Sequence, residues 1–369
     1  MLCFHRKIEG FNKITQTNSC NPNGLLFKNK SLLLPHKMNT NKKIAVIGGG
    51  SWATALVKIL STNLSTVNWW MRSDAAVTHV KNYKHNPKYL QSVEFDVSKL
   101  FISSDLEAII APADIVIIAT PSAFLTSTFE NFNTDLLKDK VVFSAVKGII
   151  PEYNAIPARF IHKTFGTPYQ NIGIICGPCH AEEVALERLS YLTIACQKEK
   201  HAKEMAKMLS CRYIKTTISD DLFGTEFSAV LKNIYALAAG ICHGLGYGDN
   251  FQSVLISNAI QEIENFIDEI HPIHRDVKSS AYLGDLLVTA YSQFSRNRSF
   301  GHMIGKGYSV KTAQLEMDMI AEGYYATKCL IEINKKFQVE MPIVDAVFNI
   351  LYKNASPVTE IKLLTDKLS

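Results

Sequence analysis

One stretch, Lys43–Leu56 (KIAVIGGGSWATAL), constrains this chain more than any other. A short apolar run stops at three glycines, and a helix-forming segment follows at once. Gly48, Gly50 and Ala53 make the pattern Gly-x-Gly-x-x-Ala. Between a strand and a helix, that pattern marks a dinucleotide-binding turn. Gly48 permits the tight bend, and Gly50 lets the backbone approach a pyrophosphate at the helix N-terminus. The plainer reading is a glycine turn with no ligand, and the flanking strand and helix argue against it.

Further apolar runs follow: VNWWMR (67–72), ADIVIIAT (113–120), KVVFSAVKG (140–148) and NIGIICGP (171–178). They lack alternation, as expected of strands buried on both faces of a parallel sheet. Strand and helix in turn predict an α/β, Rossmann-type doubly wound domain over 41–216. Near residue 217 the period becomes helical. Phe227, Val230, Leu231, Ile234, Leu237 and Ile241 mark one helix, and Val254, Leu255, Ile263 and Ile267 the next. Further helices are predicted at about 321–336, 342–352 and 357–367, with Pro342 and Pro357 near their first turns. Residues 217–369 therefore read as an all-α domain.

Composition agrees with two soluble domains. The 369 residues are 47% hydrophobic and 20% charged. No apolar run nears the ~18 residues of a membrane span. The net charge of +5 sits almost wholly in the first forty residues, where Arg6, Lys7, Lys13, Lys28, Lys30 and Lys37 face Glu9 alone. That leaves 33 of the 39 basic and 33 of the 34 acidic residues for 41–369. A neutral body carries no nucleic-acid footprint.

Eight cysteines without a secretory signal read as reduced thiols in the cytoplasm. Only Cys176 and Cys179, in CGPCH, have ligand-like spacing. The motif resembles both a redox pair and a haem attachment site. Zinc would need a second pair, and no metal site is expected.

Cofactor choice is read about 20 residues past the turn, at the end of the second strand. Arg72 stands there with no acid before Asp74. It favours NADP(H) alongside NAD(H), unless it is a plain surface arginine. Further on, Lys232 lies in a predicted helix among the small residues Ser228, Ala229, Ala236 and Ala239. A positioned ammonium there can polarise a carbonyl and deliver a proton, its pKa lowered by partial burial. The competing reading is a lysine snorkelling at the surface. In YLGDLLVTAYSQFSRNRSFG, Asp285 could orient an ammonium. Ser295, Arg296, Asn297 and Arg298 suit a phosphate at a loop-to-helix junction. A capped helix start with solvated arginines is the alternative.

Taken together, GGGSWATAL, NPKYL, VKGI, GPCHAEE, LKNIYALAAGICHGLGYGDN, YLGDLLVTAYSQFSRNRSFGHMIGKG, AEGYYATK and VEMPI resemble the bacterial-type NAD(P)-dependent glycerol-3-phosphate dehydrogenase family, in the family's order and across 43–369. The resemblance implies reversible reduction of dihydroxyacetone phosphate to sn-glycerol 3-phosphate, which supplies glycerophospholipids. It makes Lys232 the proton donor and acceptor, with Asp285 supporting the reacting end. Lys147 contacts cofactor and substrate. Gly177, Cys179, Ser295, Arg296 and Asn297 bind substrate. Gly48, Gly50, Ser51, Trp52, Ala181, Arg296, Ile320 and Glu322 line the NAD or NADP cofactor. A homodimer is implied.

In that family GPCHAEE reads Gly-Pro-Ser/Thr-Phe-Ala-x-Glu, so Cys179 and His180 are substitutions and the CxxC is accidental. Cys179, near a helix N-terminus, is a candidate acidic and oxidisable thiol. Ala53 replaces a glycine, and Ser257-Asn258 a Thr-Arg pair. These departures bear on affinity more than on reaction type. Two other readings stay open: a related reductase acting on a hydroxy acid or ketopantoate-like carboxylate, and a catalytically silent nucleotide-binding regulator.

Residues 1–40 are rich in Asn, Ser and Lys without hydrophobic period. They lack the 7–15-residue apolar core of a signal peptide. They are expected to be a disordered extension upstream of the true start at Met38. Intact mass of the native protein tests this; a first residue well before Met38 overturns it.

Overall fold

The sheet is built on the strands that the apolar runs predict. The computed structural model describes residues 42–317 and 321–369. The expected extension over 1–40 lies outside the described residues, as does Ile320. Eight strands, β1 Ile44–Ile47, β2 Val67–Trp70, β3 Leu100–Ser103, β4 Ile115–Ile118, β5 Val141–Ser144, β6 Ile172–Cys176, β7 Ser190–Cys196 and β8 Ile214–Ser219, form one sheet in the order 3-2-1-4-5-6-7-8. Strands β1 to β6 are mutually parallel, with Ala45 opposite both Asn68 and Val116. The order reverses between β1 and β4, which opens a crevice at their carboxyl ends.

Two features depart from a purely parallel sheet. β7 runs antiparallel to β6, and β8 is parallel to β7. The apolar runs point to neither strand, nor to β3. β3 and β8 are edge strands that bury few side chains, so their sequences lack a continuous apolar run.

The sheet's two faces bury different cores. Ile44 and Val46 pack with the first helix, α1 (Ser51–Asn63), while Ala45 and Ile47 belong to a core that continues through the helical half. That half is centred on α3 (Leu222–Leu245), introduced after the short α2 (Ala181–Ala185). Around α3 lie α4 (Asp249–Ile270), α5 (Asp285–Tyr291), α6 (Arg296–Gly305) and α7 (Glu322–Asn334). Helices α8 (Pro342–Tyr352) and α9 (Pro357–Thr365) begin at the predicted prolines.

Helix α3 has no solvent face. Its buried residues include both the apolar stripe and the Ser228, Ala229, Ala236 and Ala239 side. The expected surface lysine is therefore excluded: Lys232 is 3% exposed. In α4, Leu255, Ile263 and Ile267 are buried as predicted, but Val254 is 40% exposed and leaves the stripe. Asp221 caps α3 at Gly224 N (2.9 Å) and accepts from Arg275 Nε (2.9 Å) and Tyr282 Oη (2.6 Å).

Helices α3 and α6 meet through glycines. A Cβ on Gly240 would lie 2.1 Å from the Arg298 carbonyl oxygen, and one on Gly301 would lie 2.2 Å from that of Leu237. Gly244 and Gly305 repeat the approach one turn on. Such backbone contact sets α6 against α3 with little freedom. Gly240→Ala should cost about 1–3 kcal/mol by forcing the helices apart. Gly248→Ala, where a Cβ meets nothing within 4 Å, should be near neutral. Urea unfolding of both variants checks the difference.

Candidate active site

The glycine turn is held from three sides. Gly48 has φ +143°, and a Cβ there would lie 2.6 Å from the Ala119 carbonyl oxygen, so no other residue fits. The Trp69 indole donates to Gly48 O (2.7 Å), and Asn86 of NPKYL donates to Gly49 O (3.0 Å) and to Thr54 Oγ1 (2.8 Å). Around Gly50 nothing lies within 4 Å of where a Cβ would be, leaving room for a ligand against the start of α1. Arg72 stands exposed just beyond β2.

A cavity of about 340 Å³ opens at the carboxyl ends of β1, β4 and β5 and runs to the helical half. Gly50, Ser51 and Trp52 line one end; Lys147, Cys179 and Ala181 line the middle. Lys232, Asp285, Ser295, Arg296, Asn297 and Glu322 close it from the helical side. Among the residues singled out from sequence, Gly48, Gly177, Arg72 and Arg298 lie off this wall. Gly48 shapes the turn, and Gly177 lies behind the charged cluster.

That cluster is one carboxylate between two ammoniums. A π-helical turn, Ser280–Gly284, runs straight into α5 at Asp285, which is 1% exposed. Lys232 Nζ donates to Asp285 Oδ1. Lys147 Nζ lies 3.7 Å from Oδ2 and donates to Gly177 O at 3.2 Å. Gly177 N donates to Oδ2 at 3.3 Å. Gly177 adopts φ +119° with a Cβ position 2.8 Å from Tyr191 O, so glycine is required there as well. Burial pushes the Lys232 pKa down to about 8, opposed by Asp285 and aided by Lys147. Burial is the largest effect on Lys147 and disfavours its charge, but Asp285 and the neighbouring groups together outweigh it, and its pKa is raised. The result is one ammonium near neutrality and one permanently charged.

Beside Lys232, Asn233 donates to the Lys147 carbonyl and accepts from Asn297 Nδ2 (2.9 Å); Gly323 N then donates to Asn297 Oδ1 (2.9 Å). Asn297 keeps one amide hydrogen for a ligand. Ser295 caps α6 by accepting from Arg298 N (3.3 Å), and its hydroxyl hydrogen remains available. Arg296, at the first position of α6, lines the cavity with no salt-bridge partner among the described residues. Cation and helix start together suit an anion. Glu322 accepts from Ser122 N (3.2 Å) and Ser122 Oγ, and burial raises its pKa.

Asn233, Asn86 and Ser122 were not singled out as site residues. Asn233, a buried asparagine beside the lysine in LKN, is the one with a sequence signal. Ser257 is exposed and Asn258 pairs with Ser369, so neither substitution touches the cavity. The thiols also differ from expectation. Cys179 is 7% exposed and burial pushes it up to about 11; Cys176 ends β6 fully buried and rises to about 12. Burial outweighs the helix N-terminus, so Cys179 is not an acidic thiol. Among the described residues no cluster of three or more metal-ligating side chains exists.

The residues fit a dinucleotide. Trp52 Nε1, buried on the cavity wall, has no hydrogen-bond partner, and an acceptor on a bound cofactor would satisfy it. The comparisons with known proteins agree with this geometry. Residues 43–202 match the model for the NAD-dependent glycerol-3-phosphate dehydrogenase N-terminus, and 221–362 that for its C-terminus. A glycerol-3-phosphate dehydrogenase [NAD(P)+] of Limosilactobacillus reuteri is 32% identical over 330 residues, covering 88% of this chain and 97% of its own. One from Macrococcus caseolyticus is 34% identical over 313 residues, with 84% and 94% covered. The crystal structure of glycerol-3-phosphate dehydrogenase from Coxiella burnetii superposes with a TM-score of 0.81 at 26% identity, covering 88% of this chain and 98% of that one. With both halves matched in order around one crevice, the chain belongs to the NAD(P)-dependent glycerol-3-phosphate dehydrogenase family and is an oxidoreductase of that class.

Proposed function

We propose that this chain reversibly reduces dihydroxyacetone phosphate to sn-glycerol 3-phosphate, supplying the backbone of glycerophospholipids. The observation that carries this reading is the buried Lys232–Asp285–Lys147 cluster facing Arg296 across one cavity. In this reading residues 41–216 hold NAD or NADP and contribute Lys147, and residues 217–369 supply the proton donor and the phosphate-binding groups. It acts as a cytoplasmic homodimer on a small molecule, without nucleic acid. Arg72 accommodates the extra phosphate of NADP(H).

The substrate phosphate goes to Arg296 and the start of α6, with Ser295 and Asn297 donating beside it. Its carbonyl then faces Lys232. A nicotinamide cofactor held along Gly50, Ser51 and Trp52 would supply the hydride. Lys232 Nζ gives its proton to the developing alkoxide and recovers it in the reverse direction. Lys147 remains charged and stabilises negative charge on the same oxygen. Asp285 keeps both ammoniums in place.

Oxidation of NADH and of NADPH should be driven by dihydroxyacetone phosphate and not by ketopantoate or simple 2-keto acids. Turnover of the carboxylates alone would instead favour the hydroxy-acid reading, and no turnover at all the regulator. Lys232→Met should lower kcat by about 10²–10³ in a variant that still folds and binds cofactor. A variant that turns over normally refutes the role.

The pH profile follows from the sign of the titration. Reduction needs the ammonium, so its kcat should decline as pH rises through about 8. Oxidation needs the free amine and should climb through the same pH. In Asp285→Asn the group that raises the Lys232 pKa is lost, so both inflections should move lower. Stability should also drop by about 3–5 kcal/mol, because buried ammonium is left unpaired. Stopped-flow rates against pH and denaturant unfolding check these, and unmoved inflections would contradict the cluster.

A further inference from the structure

Two buried nitrogens of cavity-wall residues, Trp52 Nε1 and His180 Nε2, have no hydrogen-bond partner at normal distance; the Val288 backbone alone makes a weak hydrogen bond to the His180 ring. An unpaired buried polar atom is costly, so each implies a partner that arrives with a ligand. Trp52 belongs to the glycine turn and falls to the cofactor. His180 is placed differently. It is the residue before α2, and its ring lies 6.1 Å from that of Phe294, which adjoins the Ser295 cap.

The groups facing His180 come from several elements. Lys147 approaches from the segment after β5, Lys232 from α3, and Asp285 and the Val288 backbone, which hydrogen-bonds the ring, from α5; Glu182 and Glu183 stand in the first turn of α2. Burial, with Lys147 and Lys232 adding to it, lowers the imidazole pKa to about 4, so the ring is neutral at neutral pH. A neutral imidazole can donate to or accept from a hydroxyl, but it offers no charge to a phosphate.

Dihydroxyacetone phosphate has three oxygen functions. Its phosphate matches Arg296 and the start of α6, and its carbonyl matches the ammoniums. The terminal hydroxyl is left without a partner, and His180 Nε2 has none at normal hydrogen-bond distance. We propose that His180 is a specificity-determining residue whose Nε2 hydrogen-bonds the free hydroxyl of the substrate. The inference rests on the substrate assignment above.

The test compares kcat/KM for dihydroxyacetone phosphate and for hydroxyacetone phosphate, which lacks that hydroxyl. Wild type should prefer the hydroxylated ketone by at least about tenfold, since a site built around a hydroxyl rejects its absence. His180→Phe, which keeps a ring against Phe294, should bring the preference to within about threefold, mainly by losing activity on dihydroxyacetone phosphate. KM for NAD(P)H should not change. His180→Gln should recover part of the preference, because it restores a neutral hydrogen-bonding group. A purely structural role would lower both substrates together and leave the ratio alone. Should His180→Phe fail to fold, His180→Leu reads the same ratio. A wild-type preference retained in either apolar variant overturns the inference while leaving the dehydrogenase reading intact. A wild-type protein inert toward dihydroxyacetone phosphate overturns both.

Discussion

The site depends on one buried carboxylate. Asp285 is almost fully enclosed, and the ammoniums of Lys232 and Lys147 share it with the amide of Gly177. Three charges removed from water are tolerable only when geometry is tight and the remaining lone pairs are used. Here both carboxylate oxygens are engaged. The partners come from β6's end, α3, α5 and the segment after β5, so the cluster also joins the sheet to the helices. The same burial that makes the pairing costly brings Lys232 close to neutral pH, where one group can serve as acid and as base.

Rigid backbone contacts keep that geometry. The α3–α6 crossing is set by glycines 240, 244, 301 and 305, which bring helix backbones into contact and place Arg296 opposite Lys232. The Asn233–Asn297–Gly323 chain then links α3, α6 and α7, and Glu322 carries the link to Ser122 at the end of β4. A Cβ on Gly148 would come within 2.6 Å of Ser122 Oγ, so the VKG segment lies equally close to that link. The wall at the start of α6 and the wall at the glycine turn are therefore parts of one connected framework.

Much of this was legible beforehand, for physical reasons that differ by element. Strands β1, β2, β4, β5 and β6 are buried on both faces, and continuous Val/Ile runs announce that. β3 and β8, at the edges, alternate too weakly to be seen. β7 was hidden for another reason: its reversal against β6 is a matter of chain path, which no local pattern encodes. Lys232 stood out by motif, yet its helix alone suggested a surface lysine. Only burial by α5, α6 and α7 makes its small-residue face an interior one. The glycine pairs of α3 and α6 were present at matching four-residue spacing and went unread, because nothing local says that the two helices meet.

By itself, the sequence determined the strand–turn–helix that receives a dinucleotide, the change from α/β to all-α near residue 217, and the chemical types of the candidate site groups. Those follow from periodicity, glycine backbone freedom and side-chain functionality, all local properties. Tertiary structure alone decided that Asp285 lies between Lys232 and Lys147, that Cys179 is a buried thiol pushed up to about 11, and that His180 stands on the cavity wall. Each of these depends on how much water is excluded and which charges stand close by, and distance between remote segments exists only once the chain is folded.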